Sequence, residues 1–175
     1  MELNEISIKE PTAQEVPALS LLAQQTFWQS HGHSATKEVV AAYVAENFSE
    51  EALHKELEQA ESIFQVICCN GLPAGYSKIV LNAPLAAVPL PNITKLERIY
   101  LLQEFYHLKL GWQLLQHNVA IARERLQAGM WLNVWIENER AFRFYRRAGF
   151  EVVGRYDFRL SENHSNPNYQ MYLSF

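Results

Sequence analysis

The chain has 175 residues, 49% of them hydrophobic and 19% charged, with a formal net charge of −4. That length supports one sizeable core, so a single domain over 1–175 is expected. The mild acidity argues against a nucleic-acid surface, which needs clustered cations, and no run approaches the ~20 apolar residues of a membrane helix. In chain order, residues 3–9 (LNEISIK) alternate as a first strand. Glu2, Asn4 and Glu5 interrupt any apolar start, so no secretory leader is expected. Pro11-Thr12 opens a helix to about Ser30, with Val16, Leu19, Leu22, Ala23 and Phe27 on one face. His31-Gly32-His33-Ser34 breaks it; with no further ligands at metal spacing, this is a polar loop and no metal site is expected. Residues 36–47 form a second amphipathic helix, and Ser49 caps a third that runs to about Gln59.

Residues 62–69 read as a strand, Asn70-Gly71 as a hairpin turn, and 73–82 as the return strand. Cys68 and Cys69 are adjacent. Strand neighbours point to opposite faces, so no disulfide joins them, and one thiol should face the core and the other outward. Reduced thiols fit a cytoplasmic location. A proline-bearing loop spans 83–91, followed by a strand at 95–102, a helix at about 108–128, a strand at 131–135 and a helix at 138–148. Gly149 ends that helix as a C′ glycine. Residues 150–160 read as a strand, 161–168 as a polar loop and 169–175 as a closing strand, whose exposure would allow a homodimer. The class is α/β with a mixed sheet, parallel in the middle.

Several residues could carry chemistry. Glu97 interrupts an apolar strand and could serve as a general base; the alternative is a solvated Glu97/Arg98 pair. The segment from Tyr106 to Trp112 enters a helix at the carboxyl end of a strand, where free backbone N–H groups attract anions. His107 and Lys109 add charge there, and Gly111 lies in the first helical turn. Asn138 is placed either as an N-cap or as a ligand contact; Tyr145 is either a core tyrosine or a proton donor. Arg140, Arg143, Arg146 and Arg147 form a basic helix face.

The strings L-E-R-I-Y (96–100), G-W-Q-L-L (111–115) and W-L-N-V-W-I-E-N-E-R-A-F-R-F-Y-R-R-A-G-F-E-V-V-G (131–154) resemble the GNAT superfamily of acetyl-CoA-dependent N-acetyltransferases. T-F-W-Q-S, A-Y-V-A-E-N-F-S-E-E-A-L and the late strands are similar to its bacterial spermine/spermidine (polyamine) branch. The resemblance implies a GNAT-like acyl-CoA N-acyltransferase fold: about seven strands splayed in the middle, flanked by helices, with acetyl-CoA between the fourth and fifth. It implies that backbone groups of Ile99, Tyr100 and Leu101 bind the pantetheine arm and acetyl carbonyl. Amides of Tyr106, His107, Leu108, Lys109, Leu110, Gly111 and Trp112 would wrap the pyrophosphate. Asn138 would contact the pantetheine, and Tyr145 would bind there and protonate the leaving thiolate. The family's phosphate signature, Gln/Arg-x-x-Gly-x-Gly/Ala, falls on Tyr106, Lys109 and Gly111, and only Gly111 matches.

The implied reaction is acetyl transfer to a primary amine of a small molecule, with a polyamine as one candidate. Such an amine, with a pKa near 10.4, costs about 4.6 kcal/mol to deprotonate at pH 7, so a base is needed. Neither a metal nor a covalent enzyme intermediate is required. The alternative is a non-catalytic acyl-CoA-binding sensor on the same fold, suggested by the altered signature.

Overall fold

A computed structural model describes residues 5–175, so positions 3 and 4 of the expected first strand lie outside the described residues. Polar side chains set the helix starts, Ser49 among them as expected. Glu15 accepts from the Thr12 N–H at 2.9 Å and closes a capping box before α1 (Val16–His31). Thr36 caps α2 (Lys37–Asn47), and Ser49 Oγ accepts from Ala52 N–H at 3.2 Å to cap α3 (Glu50–Leu57). Asn70 and Gly71 take φ values of 51° and 78°, the left-handed pair of a type I′ turn. They join β2 (Ser62–Cys69) to β3 (Leu72–Val80).

Seven strands run in the order β1-β2-β3-β4-β5-β7-β6, with β1 at Ile6–Lys9, β4 at Ile93–Leu101, β5 at Gly129–Trp135, β6 at Glu151–Ser161 and β7 at His164–Ser174. β4 and β5 are parallel, while β1/β2, β5/β7 and β6/β7 are antiparallel, which gives the expected mixed sheet. Among the described residues two more helices follow, α4 (Leu110–Glu124) and α5 (Glu139–Arg147). The chain divides into two compact units: residues 1–79 with 98–118, and residues 80–97 with 119–175.

In the first unit the two faces of β4 part company. Ile99 and Leu101 pack with Ile67, Cys69, Ala74, Leu110 and Leu114, whereas Arg98 and Tyr100 reach residues of α1–α3 and their caps. With both faces of the strands covered, the two thiols are both buried; the outward cysteine expected from strand alternation is absent.

Three further expectations change. The helix expected from 108 begins at Leu110, because Gln103–Leu108 forms a 3-10 turn first. The polar loop at 161–168 shrinks to a tight turn at Glu162-Asn163, since cross-strand pairing carries β7 back to His164 despite Pro167. The closing strand is not an edge: β7 lies between β5 and β6 and leaves β6 at the margin.

Candidate active site

The first unit holds the predicted anion loop. Leu102 N–H donates to the Ala74 carbonyl at 2.9 Å and ends β4. Gln103 then donates two bonds to Gln29 of α1, N–H to Oε1 at 2.9 Å and Nε2 to the carbonyl at 3.1 Å. Phe105 and Leu108 insert into the apolar cluster of Leu110 and Leu114. The 3-10 turn is thus fixed at both ends, while Tyr106 is half-buried and His107 and Lys109 are exposed.

Lys109 occupies the glycine position of the expected phosphate signature, and its backbone is left-handed, with φ 57° and ψ 23°. A side chain there costs roughly 1–2 kcal/mol, a penalty glycine avoids. The loop therefore keeps a glycine-like course without the glycine. The Lys109 carbonyl accepts from Trp112 and Gln113 N–H at 3.1 and 3.4 Å. The amides of Leu110 and Gly111 precede any intrahelical acceptor, so the α4 start offers donors and the positive end of a dipole. Gly111 is half-buried and Trp112 is exposed.

Ile99, Tyr100 and Leu101 lie on the strand feeding this turn. Gly75 of β3 lies against them: a Cβ at Gly75 would sit 2.3 Å from Leu101 Cδ2 and 2.4 Å from the Tyr100 carbonyl oxygen. A lone glycine inside a strand signals such an approach, and the sequence reading passed over it. Gly75→Ala is expected to lower stability by about 1–3 kcal/mol and to weaken CoA binding, because the Tyr100 carbonyl must move. Urea midpoints and calorimetry read both effects; an unchanged CoA affinity would show that the strand end is not used.

His31 closes α1, stacked on Phe27 with ring centroids 4.8 Å apart. Burial first, and the nearby His33 charge second, push its pKa down to about 4. An unfolded histidine protonates near 6.5, so folding stability is complete above that pH and falls as pH drops toward 4. For a half-buried ring the loss is about 2 kcal/mol. His31→Phe should remove this acid sensitivity, measured as urea midpoints near neutral pH and at about pH 4.5. A variant that loses as much stability as the wild type contradicts the assignment.

The second unit holds the other predicted residues. Asn138 Oδ1 accepts from Ala141 N–H at 3.1 Å, so it is the N-cap of α5, and among the described residues its Nδ2 has no partner. Tyr145 is 9% exposed and packs edge-on against Phe144 and Phe150, with centroids 5.2 and 5.7 Å away. Burial raises its phenol well above the ordinary tyrosine value. Among the described residues nothing hydrogen-bonds its hydroxyl. Gly149 follows at φ 98°, as expected for a C′ glycine. The four arginines of α5 are exposed; Arg143 faces Glu139 at 3.7 Å, and Arg146 donates to the Phe150 carbonyl at 3.3 Å.

Glu97 is 28% exposed and accepts from Lys95 Nζ at 3.3 Å. Lys95 in turn sits over the Trp131 ring, 5.3 Å from its centroid, and pairs with Trp131 in register. Lys95 and Glu97 therefore share a sheet face with Trp131 and Asn133. Asn133 Oδ1 is buried and has no hydrogen-bond partner among the described residues, an orphan the sequence gave no sign of.

Known proteins align with this geometry. The pattern of the acetyltransferase (GNAT) family matches residues 25–150. An uncharacterised N-acetyltransferase of Lactobacillus delbrueckii subsp. lactis is 28% identical over 158 residues, covering 90% of this chain and 91% of the relative. The spermidine N(1)-acetyltransferase of Thermoplasma acidophilum is 22% identical over 147 residues, 84% of this chain and 89% of the relative. Among solved structures, the PaiA N-acetyltransferase of Thermoplasma acidophilum in complex with coenzyme A superposes with a TM-score of 0.78 at 20% identity. It covers 98% of this chain and 99% of that one. The ribosomal-protein-S18-alanine N-acetyltransferase of Escherichia coli gives 0.70 at 18%, covering 97% and 94%. At such identities the superpositions speak for the fold, and the family pattern speaks for membership. The chain belongs to the acetyltransferase (GNAT) family and is an N-acetyltransferase.

Proposed function

We propose that the chain transfers the acetyl group of acetyl-CoA to a primary amine of a small molecule, polyamines included, by direct attack in a ternary complex. The observation that carries this reading is the Lys109 turn: a non-glycine residue held left-handed keeps the α4 amides presented as an anion cradle. In this reading the amides from Tyr106 to Trp112 hold the pyrophosphate, with His107 and Lys109 adding charge. Backbone groups of Ile99, Tyr100 and Leu101 hold the pantetheine and the acetyl carbonyl. Asn138 uses its Nδ2 on the pantetheine while its Oδ1 caps α5.

Glu97 is the proposed base, acting through a water for which Asn133 Oδ1 is a ready acceptor. Tyr145 donates its proton to the departing sulfur. A site with both a base and an acid lowers the cost of the neutral amine and of the thiolate, with no covalent enzyme intermediate. The presence of a coenzyme A-bound protein among the fold relatives supports acetyl-CoA as the co-substrate, and the Thermoplasma spermidine enzyme among the sequence relatives supports testing polyamines first.

Thiol release from acetyl-CoA, measured with spermidine, spermine, simple alkylamines and an arylamine, tests the reading. Turnover with at least one is expected. CoA binding without turnover on any amine, peptide or arylamine would favour a sensor.

A further inference from the structure

The C-terminal part of α1 carries two hydroxyls that bond back to its own carbonyls, and the second of them also meets His31. Thr26 Oγ1 donates to the Leu22 carbonyl at 2.8 Å, and Ser30 Oγ donates to the Thr26 carbonyl at 2.8 Å. Ser30 Oγ also lies 2.8 Å from His31 Nδ1. Assigning the Ser30 proton to the Thr26 carbonyl makes Ser30 the acceptor from the imidazole and puts the ring proton on Nδ1. Nε2 is left as a bare lone pair, and among the described residues nothing donates to it.

The ring is held on two sides. Phe27 stacks on it at an interplanar angle of 12°, and Tyr100 meets it edge-on with centroids 5.7 Å apart. Tyr43 stacks on Phe27 at 5.0 Å. Phe27 is buried, while His31, Tyr43 and Tyr100 are half-buried, so these three form the rim of the aromatic cluster. Tyr100 is also the residue whose backbone the proposed reaction assigns to the acetyl group. An imidazole kept neutral across the physiological range does not repel a cation, and its lone pair attracts N–H donors only.

We propose that His31 is the acceptor-binding residue: its Nε2 accepts a hydrogen bond from the attacking amine, and the ring of Tyr100 takes the adjoining carbon. The inference rests on the transferase reading above. It gives His31 the aiming of the nitrogen, not the removal of its proton. It also names the acceptor class. The amine is unhindered and has no carboxylate beside its nitrogen, because a carboxylate held there would face the Nε2 lone pair. Aromatic edges and faces tolerate either an alkyl chain or an ammonium.

Two substitutions and one spectrum test it. His31→Phe keeps the stacked ring but removes Nε2; it should raise the acceptor KM about tenfold or more and leave the acetyl-CoA KM unchanged. His31→Gln restores an acceptor and should recover most of that loss. Glycine should be a far poorer acceptor than butylamine. Nitrogen-15 spectra of the imidazole should show a proton on Nδ1 between about pH 5 and 8 and a shift of Nε2 on adding spermidine to the CoA complex. An acceptor KM unmoved in His31→Phe would overturn the proposal, as would a protonated Nε2 or one indifferent to spermidine and butylamine alike. If the wild type turns over no amine yet Nε2 moves with spermidine, the binding role stands and the transferase reading falls.

Discussion

Tyr145→Phe is expected to lower kcat about 10²- to 10³-fold while the CoA affinity and the urea midpoint stay where they are. The substitution removes one oxygen. That hydroxyl has no hydrogen-bond partner among the described residues, so folding loses no polar contact, and the ring keeps its packing against Phe144 and Phe150. What is lost is the only proton Tyr145 can give. Burial holds the phenol neutral well past the ordinary tyrosine range, so the proton is in place at every physiological pH. A thiolate leaving into the same dry surroundings is itself raised from its usual value near 8.5, which narrows the gap the proton must cross. Steady-state kinetics beside calorimetry separate the two effects. A kcat within about threefold of the wild type would remove Tyr145 from the chemistry.

Glu56→Gln is expected to destabilise the fold by about 3 kcal/mol or more. Glu56 of α3 receives both guanidinium nitrogens of Arg98, at 2.7 and 2.9 Å, and Lys78 Nζ at 3.0 Å. The side chains are 19%, 10% and 5% exposed, so water screens them little. Arg98 also covers the Phe48 ring at 4.9 Å, and Lys78 lies 5.7 Å from the Phe64 ring centroid. Glutamine keeps the shape but leaves two buried cations facing each other across a neutral amide. Since Arg98 begins the stretch of β4 that leads to Tyr100, the loss should reach the acceptor residues too. The exposed pair of Glu51 and Lys55 is the control: Glu51→Gln should leave the urea midpoint unchanged. Equal midpoints for the two variants would mean that the buried cluster contributes no more than the exposed pair.

Much of this was legible in the chain itself because local rules acted alone. Ser49 and Asn138 cap helices where small polar residues precede the helical run, and Asn70-Gly71 makes the turn its dipeptide dictates. The misreadings arose where tertiary pairing overrode composition. Asn163, Asn166, Pro167 and Asn168 read as loop, yet β6 holds most of that segment in a ladder. One of Cys68 and Cys69 was expected to face outward because alternation counts one covered face, while here two are covered. The site divided the same way. Asn138 and Tyr145 sit in a dense motif, but Gly75 and His31 both meet Tyr100, a neighbour far along the chain that no spacing reveals. The Lys109 departure looked like an eroded phosphate loop. The backbone adopts the glycine conformation anyway, because Gln29, Leu102 and Leu108 fix the turn from both sides.

Mass spectrometry of the amine product, run beside thiol release, tests the central claim most directly. With acetyl-CoA and a turned-over amine, the account predicts an N-acetylated amine formed in equal amount to free CoA, with no acetylated protein along the way. Thiol release without an acetylated amine, or an acetyl group lodged on the enzyme before transfer, would contradict it.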